Sequence, residues 1–275
     1  MATIAFIGLG HMGEPMAGHL VAAGHTVRGV DLNPAAAAAA AARGVEIVGS
    51  VAEALAGADA CLTSLPKPEH VRAVYGGDDG IFAHAPASAV LMDTSTVDVE
   101  TSRWCHDAAA ERGLTFVDAP ISGGTAGAEA HSLTFMLGGR PDDVERAREI
   151  VAPMAGNVIA CGDAGAGIAA KLANNMMLFI SVMAMSEGSQ LAEQLGLDPE
   201  TARVLAKETV SGAGVLLAPD DADPAALRKA VTSPGGTTEQ AITTFDEKGL
   251  RDIVAAGAEA SATKGDEMEK EYDGQ

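Results

Sequence analysis

Thr3-Ile-Ala-Phe-Ile-Gly8-Leu-Gly10-His-Met-Gly13 is the stretch of sequence that decides the fold. The run Thr3–Ile7 is short and apolar after its first residue, as in a buried parallel strand. The glycines follow at once, and a helical pattern then runs from Glu14 to Ala23. Such glycines allow a tight turn, close approach of the backbone to a pyrophosphate and close packing of helix on strand, while the helix start attracts phosphate. The residues expected to contact the dinucleotide are Gly8, Leu9, Gly10, His11, Met12 and Gly13.

Asp31 follows a second predicted strand, Thr26 to Val30. It stands where dinucleotide-binding loops carry an acid, about 20 residues after the glycines, to accept hydrogen bonds from the ribose hydroxyls. A carboxylate repels a 2′-phosphate, and no arginine follows immediately, so NAD is favoured over NADP. The alternative is that Asp31 only caps the helix that starts near Asn33-Pro34.

Strands and helices continue to alternate after Asp31, which predicts an α/β fold with a Rossmann-type nucleotide-binding domain. Each strand leads into a small polar loop, where open α/β sheets bind ligands. Helices are predicted at Ala35–Ala42, with Pro34 at its start, and at Pro141–Met154. The further strands are Cys61–Leu65, Val90–Asp93, Thr115–Asp118, Leu133–Leu137 and Val158–Ile159.

One long helix is predicted from Gly165 to about Leu195. Lys171, Asn174 and Asn175 fall on one face of it, at i, i+3 and i+4. A buried lysine beside two amides is unfavourable unless it is used, so this face is a candidate active site. The alternative is a surface lysine whose stem packs on the helix while its ammonium reaches water.

Composition limits the classes of partner. The chain has 38 Asp and Glu against 18 Lys and Arg, a net charge of −20. This charge argues against binding to nucleic acid and to anionic membrane surfaces. The apolar run Met176–Met185 is interpreted as too short to span a bilayer. Three scattered cysteines without ligand spacing predict no metal site and no disulfide framework, and with no visible signal peptide a cytoplasmic location is expected.

Residues 1–200 resemble the β-hydroxyacid dehydrogenases, most closely the 3-hydroxyisobutyrate dehydrogenase family. Three stretches carry the resemblance: Phe6–Ala17, Asp118-Ala-Pro-Ile-Ser-Gly-Gly-Thr125 with Gly127 and Ala128, and Gly165–Asn175. The family's later segment, which supplies a second lysine towards the cofactor, has no counterpart here.

This resemblance implies the roles of the site residues. Leu65 and Pro66 would line the cofactor, and Thr96 would contact its nicotinamide end. Ser122, Gly123 and Gly124 would hold a substrate carboxylate, Lys171 would be the catalytic acid/base, and Asn175 would orient the substrate. Desolvation lowers the pKa of a lysine in a closed cleft, which suits this role. The alternative for Ser122-Gly-Gly is a tight turn without a ligand.

Residues 195–270 resemble a different family, the pyrroline-5-carboxylate reductases, in their C-terminal domain. The matching strings are Glu208–Gly214, Val231-Thr-Ser-Pro-Gly-Gly-Thr-Thr238 and Glu247–Arg251. The resemblance implies a homodimer with intertwined C-terminal helices. It also implies that Ser233, Gly236, Thr237 and Thr238 bind the carboxylate of a cyclic imino acid.

The local sequence of this segment predicts a helix from Pro224 to near Val231 and a turn at Pro234-Gly235 with positive φ at the glycine. Thr237 with Gln240 predicts a capping box that opens the next helix. The resulting N–H groups would suit an anion. The alternative is a capped turn that binds nothing.

The chain is therefore predicted to be a fusion: a Rossmann domain at 1–163, an interdomain helix at 164–196 and a helical dimerisation domain at 197–275. The first function hypothesis is NAD-dependent oxidation of a small carboxylate-bearing β-hydroxyacid. The second is reduction of a cyclic imine by NAD(P)H, because imine reductases share this plan. The third is an NAD-binding scaffold with weak or no catalysis.

Overall fold

The computed structural model describes residues 1–219, 221–257 and 260. Contacts divide the chain into two compact units, the first comprising Met1–Asn174 and the second starting at Asn175. The predicted Rossmann-type domain, long helix and helical C-terminal domain are all present.

The first unit is built on a nine-stranded sheet among the described residues, in the order β3-β2-β1-β4-β5-β6-β8-β7, with β9 beside β8. Pairing is parallel from β3 through β6, whereas β8 runs antiparallel to β6 and β7. The strands are β1 (Thr3–Ile7), β2 (Thr26–Val30), β3 (Glu46–Ile47), β4 (Ala60–Thr63), β5 (Val90–Asp93), β6 (Thr115–Asp118), β7 (Ile121–Ser122), β8 (Leu133–Gly138) and β9 (Ala155–Gly162).

Helices cover both faces of this sheet, which explains why its strands are apolar along their whole length. Met16 and Leu20 pack on one face, and Leu55 and Tyr75 pack on the other. The helices are α1 (Gly13–Ala22), α2 (Pro34–Ala42), α3 (Val51–Leu55), α4 (Pro68–Gly76), α5 (Ile81–His84), α6 (Val99–Glu111), α7 (Gly124–Glu129) and α8 (Pro141–Val151).

The carboxyl ends of the central strands meet at one edge of the sheet. Ile7 pairs with Thr63, Thr63 with Asp93, and Asp93 with Asp118. The chain order of the strands reverses between β1 and β4, and open α/β sheets bind their ligands at that reversal. The loops after these four strands therefore form one candidate site.

The long helix α9 (Ala166–Gln194) starts in the first unit and continues into the second. Asp198 caps the next helix by accepting from the backbone N–H groups of Glu200 and Thr201, each at 3.1 Å. The remaining helices are α10 (Pro199–Leu216), α11 (Pro224–Ala230) and α12 (Thr237–Glu247), and residues 250–257 are also helical.

Two local predictions are corrected. Helix α8 ends at Val151, and a 3-10 turn, Ala152–Met154, completes the predicted segment. The capping box at Thr237 is wrong, because α12 begins one residue too early for it and Gly236 occupies the N-cap without a side-chain hydrogen bond. Glu239 instead accepts a hydrogen bond from Gly235 N at 2.7 Å.

The interpretation that the run 176–185 is too short to span a bilayer is also corrected. It lies within α9, whose 29 residues are long and apolar enough to cross a membrane by length and composition. One such helix is weak evidence for a membrane span.

Candidate active site

The glycine-rich loop after β1 has a shape that side chains would fill. Gly8 has φ +91°, and a Cβ there would lie 2.3 Å from Ser64 O. A Cβ on Gly13 would lie 1.9 Å from Gly8 O, so the start of α1 packs directly on the turn. Gly10 faces open space, with nothing within 4 Å of a Cβ. This division into two crowded glycines and one open glycine is what a dinucleotide loop requires.

The start of α1 is suited to an anion. Met12 occupies its N-cap and makes no side-chain capping hydrogen bond. Gly10 and His11 are exposed beside it. Since the first N–H groups of a helix have no acceptor within the helix, an uncapped start next to an open glycine fits a pyrophosphate. The residues present therefore fit a nicotinamide dinucleotide.

Asp31 holds the loop together from the end of β2. Its Oδ2 accepts from Leu9 N at 2.6 Å, and its Oδ1 accepts from Asn33 N at 2.7 Å. The cap of α2 is Asn33, which accepts from Ala35 N at 2.9 Å, so the alternative that Asp31 caps this helix is wrong. The role of Asp31 towards ribose stays a prediction.

The loops after β4 and β5 are tied to each other. Leu65 N donates to Ser95 Oγ at 2.8 Å, and Ser95 Oγ donates to Asp93 Oδ1 at 2.6 Å. Asp93 is buried, and that burial is the main reason its pKa is raised, against the hydrogen bonds from Ser95 and Thr63. Pro66 and Thr96, the other residues expected to line the cofactor, are exposed on these two loops.

A buried chain of hydroxyl groups extends from the Asp93 carboxylate. Thr63 Oγ1 donates to Asp93 Oδ1 at 2.6 Å and lies 3.1 Å from the Tyr75 hydroxyl. Because Thr63 gives its proton to the carboxylate, Tyr75 is the donor in their contact. Sequence patterns did not single out this network. An acid at the carboxyl end of a buried strand, Asp93, was the available signal.

Ser122 and the two glycines after it form the next loop of the site. Ser122 ends β7, Gly123 is the N-cap of α7 with φ +127°, and Gly124 has φ +62°. Both glycine conformations are unfavourable for side-chain-bearing residues. A Cβ on Gly123 would also lie 3.2 Å from the Leu133 side chain. The turn is therefore specific for glycine and leaves its backbone exposed.

Lys171 is buried on α9, with 9% of its surface exposed. Burial lowers the pKa of its ammonium group. No hydrogen bond or ion pair joins it to another residue in the part of the chain that the structure describes. The alternative of a surface lysine is therefore wrong, and this amine is available to exchange a proton with a ligand.

Asn174 connects the lysine helix to the Ser122 loop. Its Nδ2 donates to Ser122 Oγ at 3.0 Å. It lies three residues after Lys171, on the same helix face. Asn175, which the family resemblance assigns to substrate orientation, is exposed, and its role stays a prediction. Asn174 was placed on this face from the sequence, but no role was assigned to it.

Asp118 forms a second connection between α9 and the sheet. It accepts hydrogen bonds from His106 Nε2 at 2.7 Å, from Gly165 N at 3.0 Å and from Ile168 N at 2.8 Å. Sequence patterns assigned no role to either side chain, and Asp118 was noted only at the end of a predicted strand and in a motif. The signal that could have found Asp118 is its position at the end of a strand, directly before Ala119-Pro120.

Of the residues predicted to bind a carboxylate in the second unit, Ser233 and Gly236 precede α12, and Thr237 and Thr238 are its first two residues. Ser233 O accepts from Gly236 N at 2.9 Å, and Gly235 has φ +71°, as predicted for this turn. Ser233, Thr237 and Thr238 are exposed. The Glu239 carboxylate accepts from Gly235 N in this turn, and binding of a ligand here stays a prediction.

No group of three or more His, Cys, Asp or Glu side chains that could hold a metal ion occurs within the described ranges. The cysteines Cys61, Cys105 and Cys161 are free thiols.

Two families match the chain, one after the other. The NAD binding domain of 6-phosphogluconate dehydrogenase matches residues 3–162. The pyrroline-5-carboxylate reductase dimerisation family matches residues 165–268. The predicted combination of two families in one chain is confirmed, and the border between the two matches falls just before α9 rather than after it.

Relatives match the larger part of the chain. The 3-hydroxyisobutyrate dehydrogenase of Pseudomonas aeruginosa is 41% identical over 212 residues, which cover 77% of this chain and 71% of the relative. A solved structure of the Mycobacterium tuberculosis 3-hydroxyisobutyrate dehydrogenase with L-serine is 49% identical, covers 72% of this chain and 67% of that one, and has a TM-score of 0.67.

The imine reductase of Streptomyces aurantiacus is similar over 95% of both chains, with a TM-score of 0.69 and 20% identity. At that identity the likeness shows a shared fold alone. The chain thus belongs to the 3-hydroxyisobutyrate dehydrogenase family of NAD(P)-dependent oxidoreductases, and behind that part it carries a dimerisation domain of the pyrroline-5-carboxylate reductase type.

Proposed function

We propose that this protein oxidises small 3-hydroxyacids with NAD, with Lys171 as the acid/base and the Ser122 loop as the carboxylate site. The observation that carries the proposal is the buried, unpaired Lys171 on the same helix face as Asn174, which contacts Ser122. A lysine without a partner among the described residues, beside a loop of exposed backbone, suits a substrate with a hydroxyl group and a carboxylate.

Proton transfer follows from the lowered pKa of Lys171. In oxidation its neutral amine accepts the proton of the substrate hydroxyl, and in reduction its ammonium returns a proton to the carbonyl oxygen. A bound nicotinamide dinucleotide supplies the hydride acceptor or donor. Ser122 Oγ accepts from Asn174, so its own proton is free to be donated to the substrate carboxylate.

Asp31 supports NAD as the preferred coenzyme. Its carboxylate lies at the end of β2 and is fixed by Leu9 N and Asn33 N. A fixed negative charge at this position accepts from ribose hydroxyls and repels a 2′-phosphate.

The second unit is proposed to bind a second copy of the chain, which covers its exposed apolar surface. Apolar side chains are exposed along α9 and α10, among them Met177, Phe179, Met183 and Leu205. Exposed apolar surface of this kind marks interaction sites. The dimerisation family that matches this segment supports the intertwined homodimer that the sequence predicts.

Imine reduction remains the second candidate, because the dimerisation domain is of the reductase type. In that case the Lys171 ammonium would donate its proton to the imine nitrogen. The Glu239 carboxylate, which accepts from Gly235 N in the same turn, repels a carboxylate ligand and weakens the proposed imino-acid site at Ser233. A scaffold that binds NAD without turnover is the third candidate.

One substrate screen tests the three candidates. Purified protein is assayed with 3-hydroxyisobutyrate and L-serine in the presence of NAD or NADP, and with cyclic imines in the presence of NADH or NADPH. The proposal expects NAD-dependent oxidation of a hydroxyacid that Lys171→Ala abolishes. Turnover of imines alone would replace it with the second candidate, and coenzyme binding without any turnover would replace it with the third.

A further inference from the structure

Asp118, the last residue of β6, holds the start of the lysine helix. Its side chain is 1% exposed. One oxygen accepts from Gly165 N at 3.0 Å and from His106 Nε2, and the other accepts from Ile168 N at 2.8 Å. The first N–H groups of a helix lack acceptors within it, and a carboxylate at this end is also favoured by the helix dipole.

Two glycines leave no space between this carboxylate and the backbone around it. A Cβ on Gly138 would lie 2.5 Å from Gly167 N and 2.6 Å from Asp118 Oδ1. A Cβ on Gly167 would lie 2.4 Å from Met136 O and 2.8 Å from Asp118 Oδ2. Strand β8 and the first turn of α9 are therefore in direct backbone contact on either side of Asp118.

We propose that Asp118 is a positioning residue for Lys171, because it fixes the first turn of α9 to the end of β6. Lys171 follows Ile168 by three residues and lies about one turn beyond the anchored N–H group. This inference rests on the proposed function of Lys171. An ordinary N-cap residue is next to the helix in sequence, so it orders only the first turn. Asp118 belongs to a distant strand, so it also fixes the position of that turn relative to the sheet.

The segment from Asp118 to Ser122 fixes both partners of the reaction. Asp118 holds the helix at Gly165 and Ile168, and Ser122 is held by Asn174, six residues after Ile168 on the same helix. The proton-transferring amine and the carboxylate-binding loop therefore keep one alignment. A shift of the first turn would move Lys171 relative to Ser122 and admit water to its amine.

The unmodified protein provides the first test, by amide hydrogen exchange of the full chain measured by NMR. Ile168 N–H lies in the first turn of α9, so without Asp118 it would exchange nearly as fast as in an unstructured peptide. Anchoring by Asp118 is expected to slow it by about a hundredfold or more. Fast exchange of this amide in the folded protein would overturn the inference.

The second test compares Asp118→Asn with His106→Asn. The first replaces one acceptor oxygen by an N–H donor that faces the backbone N–H groups. The second removes the His106 contact and leaves both backbone contacts to Asp118. Asp118→Asn is expected to speed exchange at Ile168, to lower kcat about tenfold and to leave the dissociation constant for NAD within twofold, while His106→Asn leaves all three unchanged.

The pH profile of kcat separates positioning from a general loss of stability. A loosened first turn lets water reach Lys171 and raises its lowered pKa towards the ordinary value. The rise of kcat for oxidation with pH therefore moves to higher pH. If Asp118→Asn changes neither the exchange rate of Ile168 N–H nor the pH at which kcat for oxidation rises, the inference is overturned. The exchange readouts need no turnover, so inactivity of the unmodified protein would count against the proposed function alone.

Discussion

Asn174 Nδ2 donates to Ser122 Oγ at 3.0 Å, across 52 residues of sequence. This hydrogen bond joins the lysine helix to the proposed carboxylate loop and leaves the serine proton free for a ligand. The neighbouring Asn175 is exposed. Two adjacent asparagines thus have different environments, and substitutions can separate their roles.

Asn174→Leu is expected to raise KM for the hydroxyacid about tenfold, which corresponds to the loss of about 1.4 kcal/mol from an oriented hydrogen bond. The KM for NAD should remain within twofold. Steady-state kinetics with each substrate varied in turn provide the measurement. An equal rise in both KM values would show that the asparagine supports the fold generally rather than the carboxylate loop.

Lys171→Met should abolish turnover and stabilise the fold. Burial lowers the pKa of this lysine from its ordinary value of 10.5, so the charged form destabilises the folded state at every pH below the lowered value. This penalty is relieved as pH rises towards 10.5. Methionine is similar in volume and uncharged, so a gain of about 1 kcal/mol at neutral pH is expected.

Thermal unfolding of Lys171→Met and of the unmodified protein from pH 6 to pH 10 measures the difference. The gain should shrink towards high pH. A gain that is constant with pH, or a loss of stability at neutral pH, would contradict the assignment of Lys171 as an unpaired buried amine.

Ser95→Ala should weaken coenzyme binding about fivefold, because it removes the acceptor of Leu65 N and separates the two loops expected to line the cofactor. Tyr75→Phe is the matched control, since it removes one hydroxyl from the far end of the same buried network. Both should lose about 1 kcal/mol of stability. Titration of NADH fluorescence measures coenzyme binding by the two variants. Equal effects on binding would argue against a role for the hydrogen bond between Leu65 N and Ser95 Oγ.

Asp31→Asn should reduce the preference for NAD over NADP by about tenfold, because the charge that repels a 2′-phosphate is removed. The KM for NAD should also rise, since one oxygen that accepts a backbone N–H is lost. The measurement is kcat/KM for both coenzymes with one hydroxyacid. An unchanged ratio would show that coenzyme choice is made elsewhere.

Phe179→Glu should convert the proposed dimer into monomers at micromolar concentration. Phe179 is 68% exposed on α9 of the single chain, and a carboxylate cannot be buried there without a partner. Arg140→Glu, on the exposed surface of the first unit, is the control. Sedimentation or light scattering gives the mass, and a monomeric unmodified protein would remove the dimer from the proposal.

The sequence by itself determined the elements whose cause is local. The glycine-rich loop at Gly8, the proline at the start of α2 and the positive φ at Gly235 each depend on a few neighbouring residues. Motif order was also sufficient for the family and for the fusion. The same local reasoning misplaced the α12 cap, because Gly236 and Thr237 are both acceptable at that position.

Only the tertiary structure decided which distant polar groups meet. Asp118 reaches Gly165 and Ile168, and Asn174 rather than Asn175 reaches Ser122, across about 50 residues in each case. Periodicity places a side chain on a face of a helix or at the end of a strand, but the packing of β6, β8 and α9 sets its partner. Candidate residues such as Lys171 and Ser122 were readable in the sequence, whereas their alignment depends on contacts that exist only in the folded chain.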